Sequence, residues 1–486
     1  MQHKVLVMPR EDVYIFRDGE NLLAGLRSRG VAVDAPCGGN GRCGKCALQV
    51  NGEKVLSCHY AVTGDITVTL PEAAGNRILT NGSAKVEKKN PLKEGLLVAV
   101  DIGTTTVVCA LLSEQGETLA VESCVNPQTA FGADVVSRIQ CAVKGEREAL
   151  TRAIRTGLTE LIEKCCHRAG VSPEEIGVVS VVGNSCMQQL FLGLDVNNLA
   201  TVPFAPVLTE TAVLQAADYL PNCTHAVMPV VPDIAGFVGA DTMGCILAAQ
   251  MHREKRTVLL VDIGTNGEMV LCSGGKLTAC STAAGPALEG ANISCGMRAA
   301  EGAIDFVGPD GIRVIGGGEA KGICGSGLIS AVGEMLRTEK LNFRGRILTE
   351  DHTYPLTSDV VLTQDDIRQL QLAKGAIAAG IEMMLDKLDL TAEDVDECIL
   401  AGAFGSYLDP ESACRMGLLP AELLGKITVG GNLAFAGAKM LALDGDNLSL
   451  TEEILSQVDY IDLSADEDFM MTFAMQMYFP NDEEDE

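Results

Sequence analysis

Positive charge is scarce in this chain. Lysine and arginine number 37 against 65 aspartates and glutamates, a formal charge of −28 over 486 residues. Such a surplus repels the phosphates of nucleic acid and disfavours anionic membrane surfaces, so neither is an expected partner. Long apolar runs are also missing, and none reaches the roughly 20 residues of a membrane-spanning helix. Residues 234–251 come nearest, and Asp241 interrupts them. Residues 1–10 alternate like a short strand and do not pair a basic region with an apolar core, so no export signal is expected and a cytoplasmic location is. Eighteen cysteines without such a signal imply a reducing compartment, where disulfides are not the default. Apolar residues make up 47% and charged ones 21%, ordinary for a soluble protein. The length exceeds one core and predicts two to four domains.

Four cysteines cluster and fourteen scatter through apolar segments, where they read as small buried side chains. Cys165, Cys166 and His167 are adjacent on a predicted helix and point in different directions, which argues against a shared metal. The cluster has the spacing Cys37-x5-Cys43-x2-Cys46-x11-Cys58, with Gly38, Gly39, Gly41 and Gly44 interleaved. Glycines let a loop wrap tightly and aim N–H groups at sulfur, so an inorganic cluster is favoured. The pattern is a variant of the plant-type [2Fe–2S] ferredoxin spacing, which opens with x4 and places its fourth cysteine farther away. Zinc is the rival, but it prefers two separated Cys-x2-Cys knuckles and only one is present. Around the cluster, residues 1–71 read as a β-grasp, ferredoxin-like module, with strands at 3–8 and 13–16 and a helix over 21–29. Residues 72–95, rich in Gly, Asn, Lys and Glu without periodicity, read as a flexible linker.

Residues 98–108, VAVDIGTTTVV, form a predicted hairpin whose tip carries Asp101, Gly103, Thr104 and Thr105. Such a tip suits a nucleotide's phosphates: glycine permits close approach, N–H groups and hydroxyls donate, and the aspartate holds Mg²⁺ through water. The motif recurs at 259–270, LLVDIGTNGEMV, with Asp262, Gly264 and Thr265, about 160 residues on. A third stretch, 399–410, ILAGAFGSYLDP, runs a strand into a turn where Gly402 and Gly405 would let an adenosine lie against bare backbone. Residues 183–193, GNSCMQQLFLG, hold the corresponding place in the first half. The second half is longer between its matching motifs by nearly sixty residues, so an insertion is expected near 282–362. Within it, GICGSGL at 322–328 is neither a Walker A loop nor a dinucleotide fingerprint. It reads equally as a helix start capped by Ser326 or as a ligand-facing loop. Helices are further predicted over 133–142, 146–168, 366–388 and 432–443. The methionines and phenylalanines of 466–480 read as packing, ahead of an acidic end.

These three motifs resemble the acetate kinase, sugar kinase, Hsp70 and actin superfamily, in which two phosphate motifs and one adenosine motif surround ATP. The resemblance spans roughly residues 96–475 and implies a two-lobed, actin-like, ribonuclease H-like α/β body, with lobe I at 96–255 and lobe II at 256–486. A ferredoxin module joined to such a body suggests electron transfer made conditional on ATP. For one electron, ~60 mV is about 1.4 kcal/mol, so a gap of a few hundred millivolts lies within a nucleotide's reach. The whole set, DIGTTT, GNSCMQQLFLG, DIGTNGE, GICGSGL and LAGAFGSYLDP after an iron–sulfur domain, looks like the reductive activators of corrinoid proteins. That resemblance implies ATP-dependent reduction of Co(II) to Co(I) in a corrinoid protein, an upstream electron donor, and an oligomeric state left open, a homodimer being one candidate. It also implies Cys37, Cys43, Cys46 and Cys58 as cluster ligands. Asp101, Gly103, Thr104 and Thr105 would form the first phosphate site, Asp262, Gly264 and Thr265 the second, and Gly402 and Gly405 the adenosine contact. By superfamily analogy Asp262 would orient the attacking water. One departure stands out, since other members often carry a further small domain between linker and body, for which there is no room here. Alternatives are an ATP-dependent activator of a 2-hydroxyacyl-CoA dehydratase, a small-molecule kinase with an accessory cluster, and a nucleotide-regulated electron carrier without turnover.

Overall fold

The computed structural model describes residues 2–8, 12–29, 31, 33, 46–70, 90–402 and 408–481. At the N-terminus a five-stranded sheet runs in the order Asp12–Arg17, Gln2–Met8, Ile66–Thr69, Ala47–Val50, Glu53–Leu56. Gln2–Met8 pairs antiparallel with its hairpin partner and parallel with Ile66–Thr69, the mixed arrangement of a β-grasp. The helix Leu22–Ser28 is capped by Asn21, whose side chain accepts from the Ala24 N–H. Its Leu22, Leu23 and Leu26 close over Val5, Phe16 and Val68 to make a core separate from those of the body.

The body contains two six-stranded sheets built on one plan. In lobe I the order is Thr118–Val125, Thr106–Leu112, Leu96–Ile102, Ile176–Gly183, Val227–Val230, Ala212–Gln215. In lobe II it is Lys276–Thr282, Gly267–Ser273, Val258–Ile263, Glu397–Ala401, Ile427–Gly431, with Val458–Tyr460 outside the first of these. Each sheet thus has three antiparallel strands, then a parallel strand beside the first. Val98, Val100, Val179 and Val181 are all buried, as expected of strands covered on both faces. The helix Arg147–Ala169 covers the first sheet and ends on Gly170 in the left-handed conformation. Cys165 and Cys166 turn into that core while His167 faces out, so no metal site forms there. The helix Gln364–Asp386, opened by a Thr363–Asp366 capping box, covers the second. Between Thr282 and this helix lie a three-stranded sheet, the helix Gly325–Arg337 and the hairpin Thr353–Pro355/Val361–Thr363.

Two helices lie back to back between the sheets, Ala240–Ala248 and Leu433–Leu443. They approach so closely that a Cβ on Gly437 would stand 2.3 Å from the Gly244 Cα. One core contains these helices, Leu97, Ala99 and Val108 of the first sheet, and Val258, Leu260 and Val270 of the second. The lobes are therefore joined through a common apolar body and not by a single strand of chain.

Two details differ from the sequence reading. Residues 469–476 do form a helix, Phe469–Gln476, on the helix Gln364–Asp386, but only Phe469 and Phe473 pack on the core. Met470, Met471 and Met475 are 67%, 68% and 62% exposed, so the methionines are not the packing face. What fixes the segment is backbone: Gln371 Nε2 donates to the Met477 carbonyl at 2.9 Å and Lys374 Nζ to that of Tyr478 at 2.6 Å. Most of the segment read as linker lies outside the described residues, but its end is tied down. The Gly445 N–H donates to the Asn90 carbonyl at 2.7 Å, and Asn90 Nδ2 to Asp446 at 3.0 Å.

Candidate active site

The two repeated hairpins project their tips toward each other across one cleft. Asp101, Gly103, Thr104 and Thr105 from the first, and Asp262, Gly264 and Thr265 from the second, all line it, with Gly402. Thr105 Oγ1 and Thr265 Oγ1 come within 3.5 Å. At the first tip a Cβ on Gly103 would meet the Thr106 carbonyl at 2.7 Å, so only glycine fits. Asn126 Nδ2 donates to the Gly103 carbonyl at 2.8 Å, and Asn184 Nδ2 to Thr104 Oγ1 at 3.1 Å. Behind them Arg138, fully buried, donates to the carbonyls of Gly132 and Thr104. Gly402 ends the strand parallel to Val258–Ile263 at φ +87°, and a Cβ there would lie 2.5 Å from Asp262 Oδ1.

Cys46 and Cys58 bring their sulfurs to 3.2 Å, too far for a disulfide of about 2.05 Å. The Cys46 carbonyl is held by both the N–H and the hydroxyl of Ser57. Two cysteine sulfurs this close, and not joined in a disulfide, suit an iron–sulfur centre. Cys37, Cys43 and Gly405 lie outside the described residues. The GICGSGL stretch combines features of both readings. A helix begins at Gly325, but Cys324, not Ser326, stands at the cap position and no side chain caps it. Ser326 sits within the first turn, and Cys324, Gly325 and Ser326 line the cleft.

Several cleft residues carried no assignment from sequence. Asp241, noticed only as a break in an apolar run, opens the helix Ala240–Ala248 and faces the cleft. Glu268, two residues past the second tip, sits opposite Asp262 in the hairpin register. Asn432 Nδ2 donates to Asp101 Oδ2 at 2.9 Å, and the Cys245 thiol to Asp262 Oδ2 at 3.4 Å. Glu289 and Arg298 reach the cleft from the insertion. A lone charge inside an apolar stretch was a usable signal for Asp241, and the register of a DIGTNGE hairpin for Glu268. Glu289, Arg298 and Asn432 had none.

The carboxylates are crowded and only partly exposed. Burial pushes Asp101 up to about 7, opposed by the Asn432 hydrogen bond and reinforced by Asp262. Burial, then repulsion from Asp262, raises Asp241 to about 7. Asp262 rises to about 6 through burial, against the Cys245 contact. Glu268 is driven well above its ordinary range by burial and by Asp241 and Asp262. Such a cluster calls for a cation. Among the described residues, no three His, Cys, Asp or Glu side chains converge to cage a metal directly. The donor set therefore fits a hard ion held through water and phosphate oxygens.

Residues 7–69 match the 2Fe-2S iron-sulfur cluster binding domain family, 96–254 the RACo middle region, and 256–486 the C-terminal domain of RACo, the ASKHA domain. The chain is 33% identical over 440 residues to the corrinoid activation enzyme RamQ of Eubacterium limosum, covering 84% of this chain and 73% of that protein. It is 26% identical over 430 residues to the [Co(II) methylated amine-specific corrinoid protein] reductase of Methanosarcina barkeri, covering 79% and 76%. A solved structure of a reductive activator for corrinoid, iron-sulfur protein superposes with a TM-score of 0.75 at 27% identity, over 99% of this chain and 98% of the other. The chain belongs to the RACo family, in which an iron–sulfur domain of ferredoxin type precedes an ASKHA body.

Proposed function

We propose that this protein couples ATP hydrolysis to the one-electron reduction of a corrinoid protein's cobalt from Co(II) to Co(I). The observation that carries the reading is the meeting of two phosphate-type hairpin tips from separate sheets in one carboxylate-lined cleft, in a chain that begins with an iron–sulfur domain. Cys37, Cys43, Cys46 and Cys58 would hold a [2Fe–2S] cluster, which when bound supplies single electrons received from an upstream donor. Gly103, Thr104 and Thr105 on one side, and Gly264 and Thr265 on the other, donate N–H and hydroxyl hydrogens to phosphate oxygens. Gly402 and Gly405 would make the adenosine contact. Asp101 and Asp262 fix the hydration shell of Mg²⁺, and Asp262 orients the water that attacks phosphorus. Hydrolysis then changes the angle between the lobes, and that motion licenses reduction of the bound acceptor. The domain limits that go with this reading are 1–71, 72–95, 96–255 and 256–486, in a cytoplasmic setting. Among the described residues, no helix is long and apolar enough to cross a membrane.

The test is anaerobic. Reduced protein is mixed with a Co(II) corrinoid protein, and Co(I) absorbance is followed with and without ATP and Mg²⁺. The expected result is formation only when both are present; equal rates in both arms reject the coupling.

A further inference from the structure

Glu289 has a position that the catalytic reading does not explain. It ends the short 3-10 turn Pro286–Glu289, between Gly285 at φ +78° and Gly290 at φ +77°. That turn is held firmly. The Gly285 N–H donates to the Thr265 carbonyl at 2.8 Å, and Ala287 and Leu288 are buried beneath it in the lobe II core. The carboxylate is thereby directed between the hairpin tips. One oxygen accepts from Thr265 Oγ1 at 2.9 Å, and the other accepts from Thr105 Oγ1. These hydroxyls belong to different lobes, and both are assigned above to phosphate oxygens. A carboxylate and a terminal phosphate offer the same thing here: anionic oxygens about as far apart as two converging donors need.

We infer that Glu289 is an internal stand-in for a nucleotide phosphate, bridging Thr105 and Thr265 and competing with an incoming nucleotide for both hydroxyls. Three consequences follow from the geometry. Without nucleotide, the tips are tied across the cleft by a side chain rooted in lobe II. Nucleotide entry must expel that carboxylate, which lowers the apparent affinity. Once expelled, the carboxylate must be reseated beside a turn that packs on the helices Gly325–Arg337 and Gln364–Asp386, so occupancy of the phosphate seat is felt at the insertion. The side chain thus acts as a positioning group for the tips and not as a participant in phosphoryl transfer.

The inference rests on the cleft's being a nucleotide site, and the experiment separates the two. Binding of ADP and of a non-hydrolysable ATP analogue, each with Mg²⁺, is measured by calorimetry on the full-length holoprotein and on the Glu289→Gln and Glu289→Ala variants. Glutamine removes the charge but can still bridge the threonines, accepting from one and donating to the other, whereas alanine removes both contacts. The affinity is expected to tighten about tenfold, the equivalent of one charge-assisted hydrogen bond. That gain belongs to Glu289→Ala; Glu289→Gln, which loses the charge but keeps a neutral bridge, should gain less. Hydrogen exchange in the absence of nucleotide should quicken at residues 103–106 and 264–266 in Glu289→Ala. An unchanged or weaker affinity together with unchanged exchange in that variant overturns the stand-in, and so does an equal gain in Glu289→Gln and Glu289→Ala, which would reduce the effect to net charge. If neither the wild type nor any variant binds nucleotide, the proposed function falls, while exchange at the tips still decides whether Glu289 ties them.

Discussion

At the scale of single residues, Gly402 is the tightest constraint in the cleft. A methyl group there would meet Asp262 Oδ1 at 2.5 Å on a backbone at φ +87°, where side chains are strained in any case. Gly402→Ala should cost about 1–3 kcal/mol of stability and more than tenfold in ATP hydrolysis, with the cluster's visible spectrum unchanged. Asp262→Ala should abolish ATP-coupled Co(I) formation and likewise leave the spectrum intact. Asp101 gives a pH prediction. Its folded-state value of about 7 lies above the ordinary carboxylate range, so the folded chain holds this proton more tightly than the unfolded chain does. The resulting stability is fully present at low pH and is lost as pH rises from about 4 through about 7. Asp101→Asn keeps a carbonyl for Asn432 and removes the titration, so melting temperature should fall less steeply between pH 5 and 8 than in the wild type. Sequence showed Asp101 and Asp262 because each sits at the end of an apolar strand beside glycine and threonine. It hid Asn432 and Glu289, which reach the cleft from elements whose local pattern is an ordinary helix start and an ordinary turn.

At the scale of elements, the repeated hairpins were readable because burial on both faces leaves a continuous apolar strand that stops abruptly at a polar tip. The helix Phe469–Gln476 was misread in part for a related reason. Methionine and phenylalanine at helical spacing carry the same apolar signal whether they face a core or water, and composition cannot say which side a neighbour covers. In the fold only the phenylalanine side is covered. Exchanging Met470, Met471 and Met475 together for glutamine should therefore change stability by no more than about 0.5 kcal/mol per site, whereas Phe473→Ala should be distinctly destabilising by thermal or urea unfolding. The start of the helix Gly325–Arg337 makes a similar point. A serine near a helix start is usually read as a cap, yet here Ser326 is two residues past the cap position and its helix turn opens on the cleft.

For the whole molecule, the contact of Gly244 with Gly437 decides how the halves relate. A Cβ on Gly437 would stand 2.3 Å from the Gly244 Cα and carbonyl oxygen, which forces the two helices apart. Gly437→Ala should lower stability by about 1–3 kcal/mol and depress ATP-dependent Co(I) formation more than nucleotide affinity, measured side by side. The contact also has a bearing on the tether. Gly445, which holds Asn90, lies just past the end of the helix Leu433–Leu443, itself about 9 Å of helical rise beyond Gly437. The covers of a book sweep widely while the stitching near the spine barely travels, and the body's end of the tether, at Asn90, is stitched beside the spine. Under the proposed function, swinging the covers would give that anchor almost no lever arm, and the fuel's work would be delivered to whatever lies between the outer edges, the acceptor and not the donor.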